Sequence, residues 1–214
     1  MSKHDKTIDA LVEDLAPVKV APRPERLAML WLLASFVWVV GVTVAIGSLR
    51  PGALQQLVDH PRFLAEVAFG LIGIFAVIFA VLRSATPGAG VRSVAWVAAG
   101  ALGLWLGNIL LGFAVPTLDS GMLGKRPHCF SETLLYALPP FVVGAVLLRR
   151  LYPLRPIASL VGAGLASGLL PAWIMQLACM YDTTHILTHH VLPGLLLVLF
   201  AWFVALLLER RGRA

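Results

Sequence analysis

The chain has two cysteines, Cys129 and Cys179, and histidines gather beside both: His128 precedes the first, and His185, His189 and His190 follow the second. Two thiols can pair if their Cα atoms approach within about 7 Å in an oxidising compartment. Thiolates with imidazoles also suit zinc, copper(I) or cadmium. His185 and His189 stand at i, i+4, the spacing with which one helix face offers two imidazoles to one ion. Cys129 and Cys179 are therefore the candidate sensing or disulfide pair, and Cys129, Cys179, His185, His189 and His128 the candidate metal ligands. From the residues alone, an inert structural disulfide accounts for the sulfurs equally well. There is no CxxC, HExxH, GxSxG, P-loop or paired-carboxylate motif. No catalytic residue is expected, the chain is read as a non-enzyme, and no cofactor is called for beyond a transition metal.

The elements that must position these groups follow from composition. The 214 residues are 59% hydrophobic and 13% charged, against about 25% charged in soluble domains. That excludes a soluble globular domain and a disordered regulator. Six apolar blocks reach spanning length: Leu27 to Leu49, Phe63 to Leu82, Ser93 to Leu118, Ser131 to Leu148, Ile157 to Ala178 and Val191 to Leu208. They lack the polar alternation of barrel strands, so the class is all-α, an integral membrane bundle of six transmembrane helices.

Lys and Arg set the orientation. Thirteen lie in the N-terminal segment, the second and fourth loops and the tail, and four in the first and third loops and at their edges. The excess is retained in the cytoplasm, so both termini are expected there and both cysteines on the far side. Cys129 opens the fourth span and Cys179 closes the fifth, which makes them neighbours at adjoining helix ends. The expected organisation is a cytoplasmic leader over residues 1–26, the membrane domain over 27–208 and a basic tail over 209–214.

Within the bilayer, Gly103 with Gly107 and Gly164 with Gly168 offer small-residue faces for close helix packing. Glu66 is expected in the first turn of the second span, interacting with the helix N-terminus and reaching interfacial water. Asn108 and Gln176 are expected to hydrogen-bond across the bundle.

In the leader, Ile8, Leu11, Val12 and Leu15 follow i, i+3, i+4, i+7 and form one apolar stripe, opposed by Lys6, Asp9, Glu13 and Asp14. Pro17 ends this short helix. Its mostly acidic polar face disfavours a lipid surface and favours a protein groove, with Leu11 and Leu15 as anchors. A frayed terminus without a partner is the competing reading.

The leader Leu11-Val12-Glu13-Asp14-Leu15-Ala16-Pro17-Val18, followed by Pro22 and Arg26, precedes the six spans. The first outer loop reads Leu49-Arg50-Pro51-Gly52-Ala53-Leu54 and leads through Pro61-Arg62-Phe63 into the second span. Cys129 opens the fourth, glycines run from Gly162 to Gly168 in the fifth, and Cys179 closes it. This layout resembles the NrsF (negative regulator of sigma F) family of bacterial inner-membrane anti-sigma factors over nearly the whole chain. It departs at Glu66, where members tend to carry a basic residue, and over His185 to His190.

The resemblance implies that the leader, through Ile8, Leu11, Val12, Leu15, Pro17 and Val18, holds an extracytoplasmic-function (ECF) sigma factor at the membrane. It further implies that Cys129 and Cys179 matter for a response to heavy metal or oxidative stress that releases the sigma factor. The expected partners are that sigma factor and the lipid bilayer, with no direct nucleic-acid contact. A membrane transporter, or a thiol-redox or metal-binding membrane protein, is the alternative.

Overall fold

The computed structural model describes residues 3–13, 22–118 and 121–212. Of the six leader residues expected to contact the partner, Leu15, Pro17 and Val18 lie outside them. Among the described residues the fold is all-helical. Six helices among them are long and apolar enough to cross a membrane.

The order is α1 (Lys3–Glu13), α2 (Pro24–Ile46), α3 (Ala53–Asp59), α4 (Pro61–Ser84), α5 (Arg92–Leu111), α6 (Cys129–Arg149), α7 (Pro156–Ala178), a single turn α8 (Thr183–His185), a π-helical stretch Ile186–Val191, and α9 (Leu192–Gly212). Pro24, Pro61 and Pro156 each occupy the first helical position, where the missing N–H has no intrahelical partner to lose. The third span ends at Leu111, short of the apolar run, which continues as turns to Pro116. The short helix α3 lies in what reads in sequence as a plain loop; Gly52 initiates it in the left-handed region at φ 75°.

The central helix is α7, which packs against α4, α6 and α9. Small residues permit this. A Cβ placed on Gly168 would sit 2.7 Å from Gly194 Cα, and one on Gly164 would sit 2.8 Å from Ala201 Cβ, so α7 and α9 meet nearly backbone to backbone. The expected close-packing face at Gly103 and Gly107 is not one: among the described residues, nothing lies within 4 Å of a Cβ placed on either.

Helix α6 carries Pro139 and Pro140 in its interior. Pro140 has no N–H for the Tyr136 carbonyl four residues back. The Trp38 indole of α2 donates to that carbonyl at 3.1 Å, while the Trp31 indole donates to Pro140 O at 2.9 Å. Two tryptophans thus fasten α2 to the interrupted stretch of α6.

Candidate functional site

Both cysteines lie at the end of the bundle opposite the start of α2. Cys129 is the first residue of α6 and Cys179 caps the C-terminus of α7. They form a disulfide, with Cα atoms 7.1 Å apart and both side chains buried.

The segment that follows decides what stands beside them. Asp182 Oδ1 accepts the His185 backbone N–H at 2.8 Å and caps the last span. The chain then widens into the π-helical stretch, where the Leu192 N–H reaches back five residues to Leu187 O. Pro193 follows directly, and its ring would crowd the carbonyl of His189, four residues back. The hydroxyl of Thr188 bonds back to Thr184 O at 2.7 Å, a contact that also loosens a regular helix.

A turn of this width puts residues five apart on one face. His185 and His190 consequently point the same way, and with Cys129 and Cys179 they place one ligand atom each within 4.8 Å of all the others. Cys179 Sγ is 3.3 Å from His185 Nε2. The π-helical register explains why His190, absent from the expected ligand set, joins the group. His189 stacks on the His185 ring at 4.3 Å and bonds Thr188 through Nδ1, outside the four. His128 is an exposed residue preceding α6, whose carbonyl accepts from Glu132 N and Ser131 Oγ.

His190 is fully buried, and neither ring nitrogen has a hydrogen-bond partner among the described residues. A buried polar atom left unpaired costs about 1–3 kcal/mol. His185, half-buried, is the member of the four that reaches the surface.

Arg50 holds the Cys179 end in place. Its side chain is 2% exposed. Nη1 donates to Gln176 O at 2.9 Å and to Cys179 O at 2.7 Å, while Nε and Nη2 donate to Gln56 Oε1 of α3. The guanidinium also lies over the rings of Phe63 and Tyr181. It therefore takes up the final carbonyls of α7, where the helix dipole favours a cation. Burial pushes its pKa below the ordinary arginine value, opposed by the interaction with Tyr181.

Two residues after Cys179, Tyr181 enters a second polar group. Its hydroxyl donates to Glu66 Oε2 at 2.7 Å. Burial first, and the neighbouring Glu66 second, push that hydroxyl well above the ordinary phenol range, so it stays a donor. Glu66 is fully buried and also accepts from Gln176 Nε2 at 2.8 Å and Asn108 Nδ2 at 3.1 Å. Trp105 Nε1 donates to Gln176 Oε1, and Arg62 Nε donates to Asn108 Oδ1. Glu66 thus does not reach interfacial water as a first-turn residue would. It is the centre of a network joining α4, α5 and α7 to the Cys179 segment, and Asn108 and Gln176 bond across the bundle through it.

Among the described residues, the apolar stripe at the other end of the chain has no cover. Ile8, Leu11 and Val12 of α1 are 57%, 65% and 59% exposed. The helix runs from Lys3, earlier than the apolar spacing alone suggests.

No solved structure matches the chain. It is 28% identical over 130 residues to the carotenogenesis protein CarR of Myxococcus xanthus, a match that covers 56% of this chain and 58% of that relative. The family model described as negative regulator of sigma F, NrsF, matches residues 11–210, nearly the entire length, and the chain belongs to that family.

Proposed function

We propose that the chain is a multi-pass anti-sigma factor of the bacterial inner membrane. Its leader, residues 1–26, sequesters an ECF sigma factor in the cytoplasm, and chemistry at the Cys/His group on the outer face releases it under metal or oxidative stress. The observation that carries the reading is the pairing of family membership with an apolar stripe on α1 that is exposed among the described residues. A helix of eleven residues is marginal alone in water and gains stability from a groove that covers Ile8, Leu11 and Val12. Leu15, Pro17 and Val18 extend the same contact. The 13 to 4 division of Lys and Arg supports the sidedness.

Release requires that the outer chemistry favour one of two bundle arrangements and that the leader hold its partner in only one of them. A mechanical route fits this requirement. Cys129 begins α6, Trp31 and Trp38 tie α6 to α2, and α2 continues the leader. Loss of the link to Cys179 frees α6 to move against α7, and α2 moves with it.

The test uses the full-length protein in its own membrane. Wild-type chain should co-purify with a sigma factor identified by mass spectrometry, and Leu11→Asp should lose it and derepress a reporter driven by that sigma factor at equal membrane abundance. Retention of the sigma factor by Leu11→Asp, Ile8→Asp and their combination would refute leader-mediated sequestration. Replacing both cysteines by serine should abolish the reporter's response to cadmium and to peroxide; an unchanged response would remove the sensing role.

A further inference from the structure

We infer that, in its reduced form, the chain holds one divalent zinc-like ion at Cys129, Cys179, His185 and His190, and that this ion and the disulfide exclude each other. The inference deepens the sensory part of the reading above by naming the ligand set and the two states between which the site switches.

Three observations carry it. The four ligand atoms already lie within 4.8 Å of one another, and tetrahedral zinc with bonds of about 2.0–2.3 Å needs its ligands roughly 3.3–3.8 Å apart. Once the disulfide is reduced, separation of the two sulfurs to about 3.8 Å and a small contraction of the longest remaining distances complete the site. Next, His190 is fully buried and both of its nitrogens lack a partner among the described residues. One of them bound to a metal would have the partner that those residues do not supply. Finally, the π-helical stretch Ile186–Val191 brings His190 round to the face of His185. In a regular helix of 3.6 residues per turn, a residue five positions on would stand about 140° round from His185. Two thiolates and two imidazoles form a closed site with no position for substrate, typical of structural rather than catalytic zinc.

Exclusion follows from the sulfur positions. Zinc thiolates stand about 3.8 Å apart, whereas disulfide sulfurs bond at about 2.05 Å. With hydrogen peroxide as oxidant, the two thiolates give up two electrons and form the S–S bond. The O–O bond breaks, two protons from solvent complete two molecules of water, and zinc leaves as the hydrated dication. Both imidazoles are then free. His185, the partly exposed member, provides the route by which ion and oxidant arrive.

The experiment takes full-length protein in detergent, reduced with a phosphine and then freed of reductant, with zinc or cobalt(II) as the probe. Reduced wild type should take up one ion per chain. Cobalt should show a thiolate charge-transfer band and the intense visible bands of a tetrahedral ion, and oxidised protein should show neither. His190→Ala and His185→Ala should each weaken binding by more than the roughly 10- to 100-fold lost when a group that only supports a ligand is removed, and should alter the visible bands. His128→Ala should leave both unchanged, and His189→Ala should leave the bands unchanged.

Formation of the Cys129–Cys179 bond on oxidation, read by peptide mass, shows that each variant is folded at this end. His185→Ala, at a half-buried position, serves if His190→Ala does not fold. Peroxide should release one zinc for each disulfide formed. A reduced chain that binds no metal, a His185→Ala spectrum identical to wild type, or zinc retained after the disulfide forms would each overturn the inference. None of these readouts involves a sigma factor. Failure here with sigma capture intact removes the metal site alone, and metal binding with failed capture removes the regulatory reading alone.

Discussion

Tyr181→Phe isolates the link between the Cys179 segment and the membrane network. The ring packs edge-on against Phe63, with centroids 5.3 Å apart and planes at 87°, and phenylalanine keeps that contact. What disappears is the hydroxyl that donates to Glu66 Oε2 at 2.7 Å, leaving that oxygen with Asn108 Nδ2 at 3.1 Å. Hydrogen bonds to charged groups contribute about 1.5–3 kcal/mol in soluble proteins. Interhelical bonds in a bilayer average about 0.6 and reach about 1.7 kcal/mol, because the unfolded reference also finds partners there. Full burial and the short distance put this bond near the top of the bilayer range, so the loss should be about 1.5 kcal/mol, roughly tenfold in the unfolding equilibrium. Reversible unfolding in mixed detergent–lipid micelles measures it, and a cycle with Glu66→Gln isolates the pair. An interaction energy below about 0.3 kcal/mol, within ordinary additivity, would refute the view that Tyr181 and Glu66 act as one unit.

Other positions give independent tests. Gly168→Ala forces a methyl against Gly194 and should lower stability by about 1–3 kcal/mol, visible as earlier thermal aggregation, while Gly103→Ala, facing open space, should not. Trp38→Phe removes the donor to Tyr136 O and should cost about 1 kcal/mol; hydrogen exchange at α6 should rise if the indole compensates for Pro140. After reduction, an impermeant thiol reagent applied to intact cells should label Cys129 or Cys179. Labelling of both only after the membrane is breached would reverse the orientation assigned to the leader.

Much of this architecture can be read from the sequence because a bilayer imposes simple rules. Uncharged runs of spanning length have to be helices, and Cys129 and Cys179 fall at the ends of adjoining ones, so their proximity follows from topology. The proposed ligand set does not follow so directly. An i, i+4 template selects His189, whereas the local widening selects His190, and the clue to that widening is Pro193 placed just after a back-bonding Thr188. Glu66 misleads for a related reason. Counting from the apolar boundary places it in a first turn, but α4 starts earlier, at Pro61, and the Tyr181 segment folds over it. Side-chain burial that depends on a distant loop leaves no periodic trace.

Arg50 shows how the two polar groups come to be held as one assembly. Its guanidinium bonds the carbonyls of Gln176 and Cys179, and the side chain of Gln176 in turn reaches Glu66. The residues on either side of the α7 terminus therefore belong at once to the sulfur cluster and to the intramembrane network. A change in the Cys179 backbone has to be accommodated by Arg50, by Tyr181 or by both. Arg50→Lys separates these paths. One ammonium cannot hold two carbonyls and Gln56 in the planar fork that arginine provides. Cys179 should become easier to reduce, measured as faster thiol release at a fixed phosphine concentration, while the bond from Tyr181 to Glu66 persists. Unchanged release would mean that the disulfide end is held by its own packing and that Arg50 serves only to cap α7.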